Sequence, residues 1–354
     1  MLKVFFFEMY YISKINIKRK TARAKHLRSL IQANKNLNLP IQFIFYDFKK
    51  PFRNLKSILF ILISSFKGRV KVYTRDIELA LFFSIFNIDS IYEVHQFGMI
   101  RRTTRFYLFH RLILLLLINS KFTKFVLLTK NSSRVIKTLY PNLNNKRIFT
   151  ISDAGGFANQ NLNVKTKNNE KRNRKLIISY AGSFLPGKGG IETIKIAKTI
   201  NKYQFNIAGF INQKLKNQIV SIDNLKYFNY LSDKEIINFY KKSDILIAPI
   251  GKRIFLDQEL VNEITFYTSP LKIFEYLSTN KPIITIDRPS TRILKGIPGI
   301  WFIEKEKAFC IETWENTINR IKESIDNKNI NKIIFQRNRF IYSWESRIND
   351  MLKI

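Results

Sequence analysis

Short runs rich in β-branched and aromatic residues alternate along the chain with longer stretches whose apolar residues recur at helical spacing. In the first half the strand pattern falls at 2–7, 41–46, 70–74, 90–94, 124–128 and 147–151, and helical patterns fill 22–35, 77–86, 103–119 and 131–140. The second half repeats the rhythm, with strands at 176–180, 205–208, 225–228, 245–248, 283–286 and 300–303. There Ser232 and Glu235 make a capping box opening a helix that runs to about Lys242, and further helical patterns cover 313–326 and 331–352. Strands that alternate with helices predict an α/β protein with parallel sheets wrapped by helices. No repeat recurs at solenoid period, which excludes a stacked-repeat architecture.

A chain of 354 residues suits two domains better than one core, and its 45% hydrophobic content supplies both. Residues 159–175 are almost wholly polar and charged, with too little apolar surface to pack. The expected organisation is a first domain at 1–160, a linker at 161–174, a second domain at 175–330 and a terminal segment at 331–354.

Charge and cysteine content then narrow the setting. Lysine and arginine total 61 against 26 acidic residues, a net charge of +35, which attracts phosphates, nucleic acid or anionic lipid. Part of that excess is also what an AT-rich coding sequence produces, since Lys, Asn, Ile and Phe are abundant together. Cys310 is the single cysteine, so no internal disulfide forms; a reducing cytoplasmic compartment is expected, with Cys310 as a small buried side chain. The apolar runs at 58–63 and 112–118 are far shorter than the roughly 20 residues that span a bilayer, and residues 1–7 lack the features of a secretory signal. Lys14, Lys18, Arg19, Lys20, Arg23, Lys25 and Arg28 cluster before and along one helix, which predicts peripheral contact with an anionic membrane; a solvated helix face is the alternative.

Two segments carry candidate chemistry. Ser269-Pro270-Leu271-Lys272-Ile273-Phe274-Glu275 has Ser269 placed as an N-cap and Pro270 as a first helical residue, so amide groups at the helix start face a phosphate site. Glu275 lies about 7 to 8 Å further along that helix, within reach of ribose hydroxyls; the alternative is a surface glutamate paired with Lys272. The second segment, Tyr180-Ala181-Gly182-Ser183 to Lys188-Gly189-Gly190, is a strand followed by a glycine-rich turn, where Gly182 admits a ligand closely and Lys188 offers a cation to a diphosphate. His95 follows the strand at 90–94, where it can donate to a sugar oxygen or serve as a structural residue; His26 and His110 are read as structural. The chain has no Asp-x-Asp triplet, no metal-spaced His/Cys cluster and no nucleophile elbow, so no metal site is expected.

In order along the second half, Tyr180-Ala181-Gly182-Ser183 with Lys188-Gly189, Tyr230-Leu231-Ser232 with Phe239-Tyr240, Ser243 to Pro249, and Ser269 to Lys272 with Phe274-Glu275-Tyr276 resemble the nucleotide-sugar-dependent glycosyltransferases of family 4. The resemblance implies a GT-B fold, two Rossmann-like domains with parallel sheets facing a central cleft, whose last helix crosses back to the first domain. It implies a retaining, metal-independent transfer with no cofactor beyond a UDP- or GDP-type donor, to a saccharide or lipid-linked acceptor in envelope polysaccharide or lipopolysaccharide synthesis. On that basis Glu275 binds ribose, Lys188 the diphosphate, Ser269–Lys272 the phosphates and His95 the donor sugar. Three places depart from the family pattern: Tyr267 where a leading glutamate stands, Ser183 where a basic residue is common, and a basic, glycine-free stretch at 8–21. Two other readings stay open, a catalytically silent scaffold and a nucleic-acid-binding protein; against the second, no nucleic-acid-binding motif occurs.

Overall fold

The computed structural model describes residues 8–13, 22–45, 51–95, 107–156, 174–260, 263–265, 268–279, 281–327, 329–330 and 341–354. The chain divides into two compact units, Met1–Asp153 with Trp344–Ile354, and Ala154–Ser343. The linker expected at 161–174 lies almost wholly outside the described residues, and the units part between Asp153 and Ala154 rather than at 160. Gly155 shows why: its N–H donates to Tyr342 O at 3.0 Å, and a Cβ there would stand 2.3 Å from the backbone of Phe274 and Glu275. The chain thus packs into the second unit before the polar stretch begins.

The first unit is a six-stranded, all-parallel sheet in the order β2-β1-β3-β4-β5-β6. Its strands are β1 (Glu8–Ser13), β2 (Ile41–Phe45), β3 (Val70–Thr74), β4 (Asp89–Val94), β5 (Thr123–Leu127) and β6 (Ile148–Thr150). Helices α1 (Ala22–Asn36), α2 (Pro51–Lys67), α3 (Ile77–Ile85), α4 (Tyr107–Asn119) and α5 (Lys130–Leu139) make the crossovers, and α11 (Trp344–Leu352) packs beside α1. The β1→β2 step runs one way across the sheet and the four later steps run the other, so right-handed crossovers put α1 on one face and α2 to α5 on the opposite face.

Two elements of this unit go beyond the sequence expectations. The expected first strand at 2–7 lies outside the described residues, and the first described strand, Glu8–Ser13, which had no predicted counterpart, buries Met9, Tyr10, Tyr11 and Ile12. Helix α2 had no predicted counterpart, because its run Ile58-Leu59-Phe60-Ile61-Leu62-Ile63 has no polar interruptions from which to read a helical period.

The second unit repeats the theme with β7 (Ile177–Ala181), β8 (Gln204–Ala208), β9 (Leu225–Phe228), β10 (Ile245–Ala248), β11 (Ile283–Ile286) and β12 (Ile300–Ile303), in the order β12-β11-β10-β7-β8-β9 and all parallel. Strands β7, β10 and β11 are nearly continuous apolar runs, as expected for a sheet covered on both faces. The helices are α6 (Gly190–Thr199), α7 (Gln213–Ile219), α8 (Asp233–Lys242), α9 (Leu271–Leu277) and α10 (Ile311–Asp326). The capping box is present on α8, with Ser232 and Glu235 bonding each other's backbone N–H. One core layer gathers Trp314, Ile318 and Ile321 of α10 with Phe205, Ile207 and Ile245 of the sheet. The other packs α8 and α9 against β10. Cys310, expected to be buried, is exposed at the N-cap of α10.

Candidate functional site

In the second sheet the strand order reverses between β7 and β10, and a crevice outside the carboxyl ends of such strands is where α/β sheets receive ligands. The sequence candidates of the second unit lie on the loop after β7 and on α9. The loop after β7 is tied down by Tyr180, whose hydroxyl lies 2.5 Å from Ser183 O and 3.0 Å from Lys188 O. From α9, Lys272 reaches the same loop: Nζ donates to Lys188 O at 2.8 Å and sits 3.7 Å above the centre of the Tyr180 ring. Gly182 makes this possible. Its φ is +152°, and a Cβ would stand 2.6 Å from Lys272 Cε and 2.9 Å from Nζ, so any side chain there evicts the lysine.

The electrostatics are those of two cations short of compensation. Burial pushes the Lys188 ammonium down to about 8. Burial, joined by repulsion from Lys188, holds Lys272 well below the usual lysine range, against the pull of Glu192 and Glu275. Glu192 is raised by burial, and its carboxylate accepts Gly189 N–H at 3.1 Å as the N3 partner of the α6 cap. An anion between these lysines would restore both charges, which is what a nucleoside diphosphate offers.

Glu275 stands one turn along α9 from Lys272, with Tyr240 Oη 3.4 Å from Oε2. Tyr276 on the same helix braces the end of β7, its hydroxyl accepting Ala181 N–H at 3.0 Å. Helix α9 begins at Leu271 with Pro270 at the N-cap, so Ser269 is not the cap it was expected to be. Proline takes the cap because the Ile273 and Phe274 amides bond Pro270 O, which leaves Ser269 Oγ buried with no hydrogen-bond partner among the described residues. Ser183 is exposed, and its hydroxyl accepts Leu185 N–H at 3.2 Å. Tyr267 lies outside the described residues, as do residues 14–21 of the basic stretch at 8–21.

His95 belongs to the first unit and is embedded in a network that sequence reading did not anticipate. Its Nε2 bonds Glu93 on β4, a carboxylate only 1% exposed that also meets Arg75 at 2.7 Å, Arg347 of α11 at 2.8 Å and Tyr73 Oη at 2.5 Å. Burial by itself would raise the Glu93 carboxyl, but Arg347, Arg75 and His95 together hold it well below the usual range. Burial and the Arg75 charge lower the imidazole against the pull of Glu93. Asp153 lies 3.9 Å from Arg75 and 3.8 Å from Arg347, so two arginines share two buried carboxylates. His26 and His110 take structural contacts, His26 against the Trp344 ring and His110 with Glu78 at 3.2 Å.

Of the residues missed by sequence reading, Glu192 was accessible, since it stands at N3 of a glycine-opened helix. The ion pairs of Arg75 and Arg347 could not be read from the sequence, because Glu93 and Asp153 lie on other elements of the fold. Among the described residues no group of three His, Cys, Asp or Glu side chains is placed to hold a metal ion.

No family model matches the chain, and no curated protein matches its sequence. Solved structures do match over nearly its full length. The starch synthase IV catalytic domain of Arabidopsis thaliana, bound to ADP and acarbose, superimposes with a TM-score of 0.65 at 10% identity, covering 98% of each chain. A glycosyltransferase of Rickettsia africae gives 0.62 at 14% identity, covering 98% of this chain and 97% of that one. HepE of Anabaena, in complex with UDP and glucose, gives 0.60 at 10% identity, covering 98% and 99%. The two six-stranded parallel sheets and these likenesses define the fold class: the chain has the GT-B fold.

Proposed function

We propose that the protein is a nucleotide-sugar-dependent glycosyltransferase whose second unit holds the donor diphosphate at the carboxyl ends of β7 and β10. The observation that carries this is the lysine pair: Lys188 and Lys272, both with lowered pKa, meet where a GT-B fold presents its strand-order reversal. Starch synthase IV with ADP and HepE with UDP are bound to nucleoside diphosphates on the same fold, which favours that ligand class here.

In this reading Lys188, with Lys272 behind it, takes the diphosphate. Gly182 and Ser183 let the phosphates approach the loop backbone, and Ser269, Pro270 and Leu271 line the entry to α9. Glu275 accepts from the ribose hydroxyls, and His95 donates to the donor sugar. We assign the chemistry to the metal-independent, retaining class typified by family 4. The bond from the anomeric carbon to the diphosphate breaks, the acceptor oxygen bonds that carbon from the same face, and the acceptor proton passes to the departing phosphate oxygen. Lysine charge then stabilises the leaving group as it forms. No cofactor is assigned beyond a UDP- or GDP-type donor; a hexose is the proposed cargo, a saccharide or lipid-linked acceptor the proposed recipient, and envelope polysaccharide or lipopolysaccharide synthesis in the cytoplasm the setting. No nucleic acid partner is proposed.

The test pairs two variants with two readouts. Lys188→Ala is expected to cut turnover about a hundredfold or more while acceptor affinity stays within about twofold. Glu275→Ala is expected to weaken nucleotide binding about tenfold or more by calorimetry, as the loss of a charged hydrogen bond predicts. Near-normal turnover in Lys188→Ala, or unchanged nucleotide affinity in Glu275→Ala, removes that residue from the site.

A further inference from the structure

The first unit carries a surface that the donor site does not use. Helix α2 buries Ile61 completely yet leaves Leu55, Leu59, Phe60, Ile63 and Phe66 exposed, Phe66 at 91%. Helix α4 likewise buries Ile113, Leu114 and Leu117 and exposes Leu108 at 74%, with Phe109, Leu112, Leu115 and Leu116. The end of α3 adds Ile85 and Phe86. Right-handed crossovers put these three helices in one layer on one face of the sheet, so these exposed apolar side chains share that layer, with the Glu78–His110 pair bridging α3 and α4. Isolated exposed leucines need no explanation; a layer-wide patch does.

Charge selects the occupant. The sequences of α2 and α4 contain no aspartate or glutamate, and exposed basic residues border the patch: Lys56, Lys67 and Arg69 around α2, Arg111 and Lys121 around α4. A second copy of the chain carries the same +35 and is repelled at long range, whereas an anionic bilayer accepts the apolar side chains and neutralises the basic rim. Among the described residues no helix is long and apolar enough to cross a membrane, which leaves in-plane seating at the headgroup boundary.

We propose that the outward face of α2, α3 and α4 is a docking surface for an anionic membrane, with the apolar side chains seated in the interface and the basic rim on the lipid headgroups. This places the contact opposite the basic helix α1, whose Lys25 and Arg28 are half-buried on the other side of the sheet beside the α11 layer. The inference stands apart from the glycosyltransferase reading, because none of its residues belongs to the donor site.

The full chain is mixed with phosphatidylcholine vesicles and with vesicles holding about 30 mol % phosphatidylglycerol, and bound protein is read by flotation at about 0.1 and about 0.5 M salt. Binding to the anionic vesicles that falls at high salt is expected. The double variant Leu59→Glu/Leu112→Glu loses it by about tenfold or more, and Lys56→Gln/Arg111→Gln weakens it at low salt. Lys25→Gln/Arg28→Gln leaves it unchanged, and all three variants keep the wild-type melting temperature and its shift with nucleotide. Three results overturn the proposal: a wild type that stays with neither vesicle, a loss of binding in the α1 variant alone, or a concentration-dependent dimer by ultracentrifugation that the leucine variant abolishes. A wild type that binds vesicles but shows no nucleotide shift would sink the donor-site reading and leave the docking surface standing.

Discussion

Raising the pH is the cleanest perturbation of the proposed donor site, because Lys188 titrates near 8 while an ordinary lysine stays charged to about 10. If the diphosphate needs the ammonium form, its affinity follows the protonated fraction of the free protein, which is about 0.9 at pH 7, half at pH 8 and about a tenth at pH 9. Affinity for UDP or GDP should therefore fall about tenfold between pH 7 and pH 9, roughly 1.4 kcal/mol. Phosphate ionisation, complete by about pH 7, adds little to that window. The sign follows from linkage. A dianion stabilises the charged lysine, so its pKa rises on binding, and between the two values complex formation takes up a proton. Titration calorimetry in two buffers of different ionisation enthalpy at about pH 8.5 measures that proton directly. In the free protein the same depressed value means that folding stability increases as the pH rises from about 8 towards the unfolded value of 10.5. A flat affinity profile from pH 7 to pH 9 refutes the reasoning. So does a Lys188→Ala variant that keeps the wild-type slope, which would move the titration to Lys272.

Further outcomes follow from other contacts. Glu93→Ala leaves Arg75 and Arg347 buried without their shared carboxylate, so the first unit should lose about 3 to 5 kcal/mol in urea denaturation and α11 should become open to limited proteolysis. A loss under about 1 kcal/mol would mean that Asp153 replaces it. Gly155→Ala forces a methyl within 2.3 Å of the α9 backbone and should cost about 1 to 3 kcal/mol, read as a lowered melting temperature of the second unit. A variant as stable as the wild type would show that the two segments separate freely.

Periodicity by itself determined the class of this protein and most of its elements. Strands at 70–74, 225–228, 245–248, 283–286 and 300–303 have the same limits in the sequence pattern and in the structure: 245–248 and 283–286 are buried throughout and read as nearly unbroken apolar runs, while the half-exposed edge strand 225–228 was legible from its Leu, Tyr and Phe alone. The glycine turn after β7 and the Lys272–Glu275 helix were legible for the same local reason: turns and helix starts impose residue types over a few positions. What the tertiary structure decided is everything that depends on partners distant in sequence. Lys272 was expected at a phosphate, and the fold also lays it against Tyr180 and the Lys188 carbonyl, 84 residues away. Arg347 finds Glu93 only because the chain returns to the first unit after Ser343. Exposure was equally hidden: a leucine in α4 reads the same whether it faces the sheet or the solvent, since hydrophobicity is a property of the residue and burial a property of its neighbours.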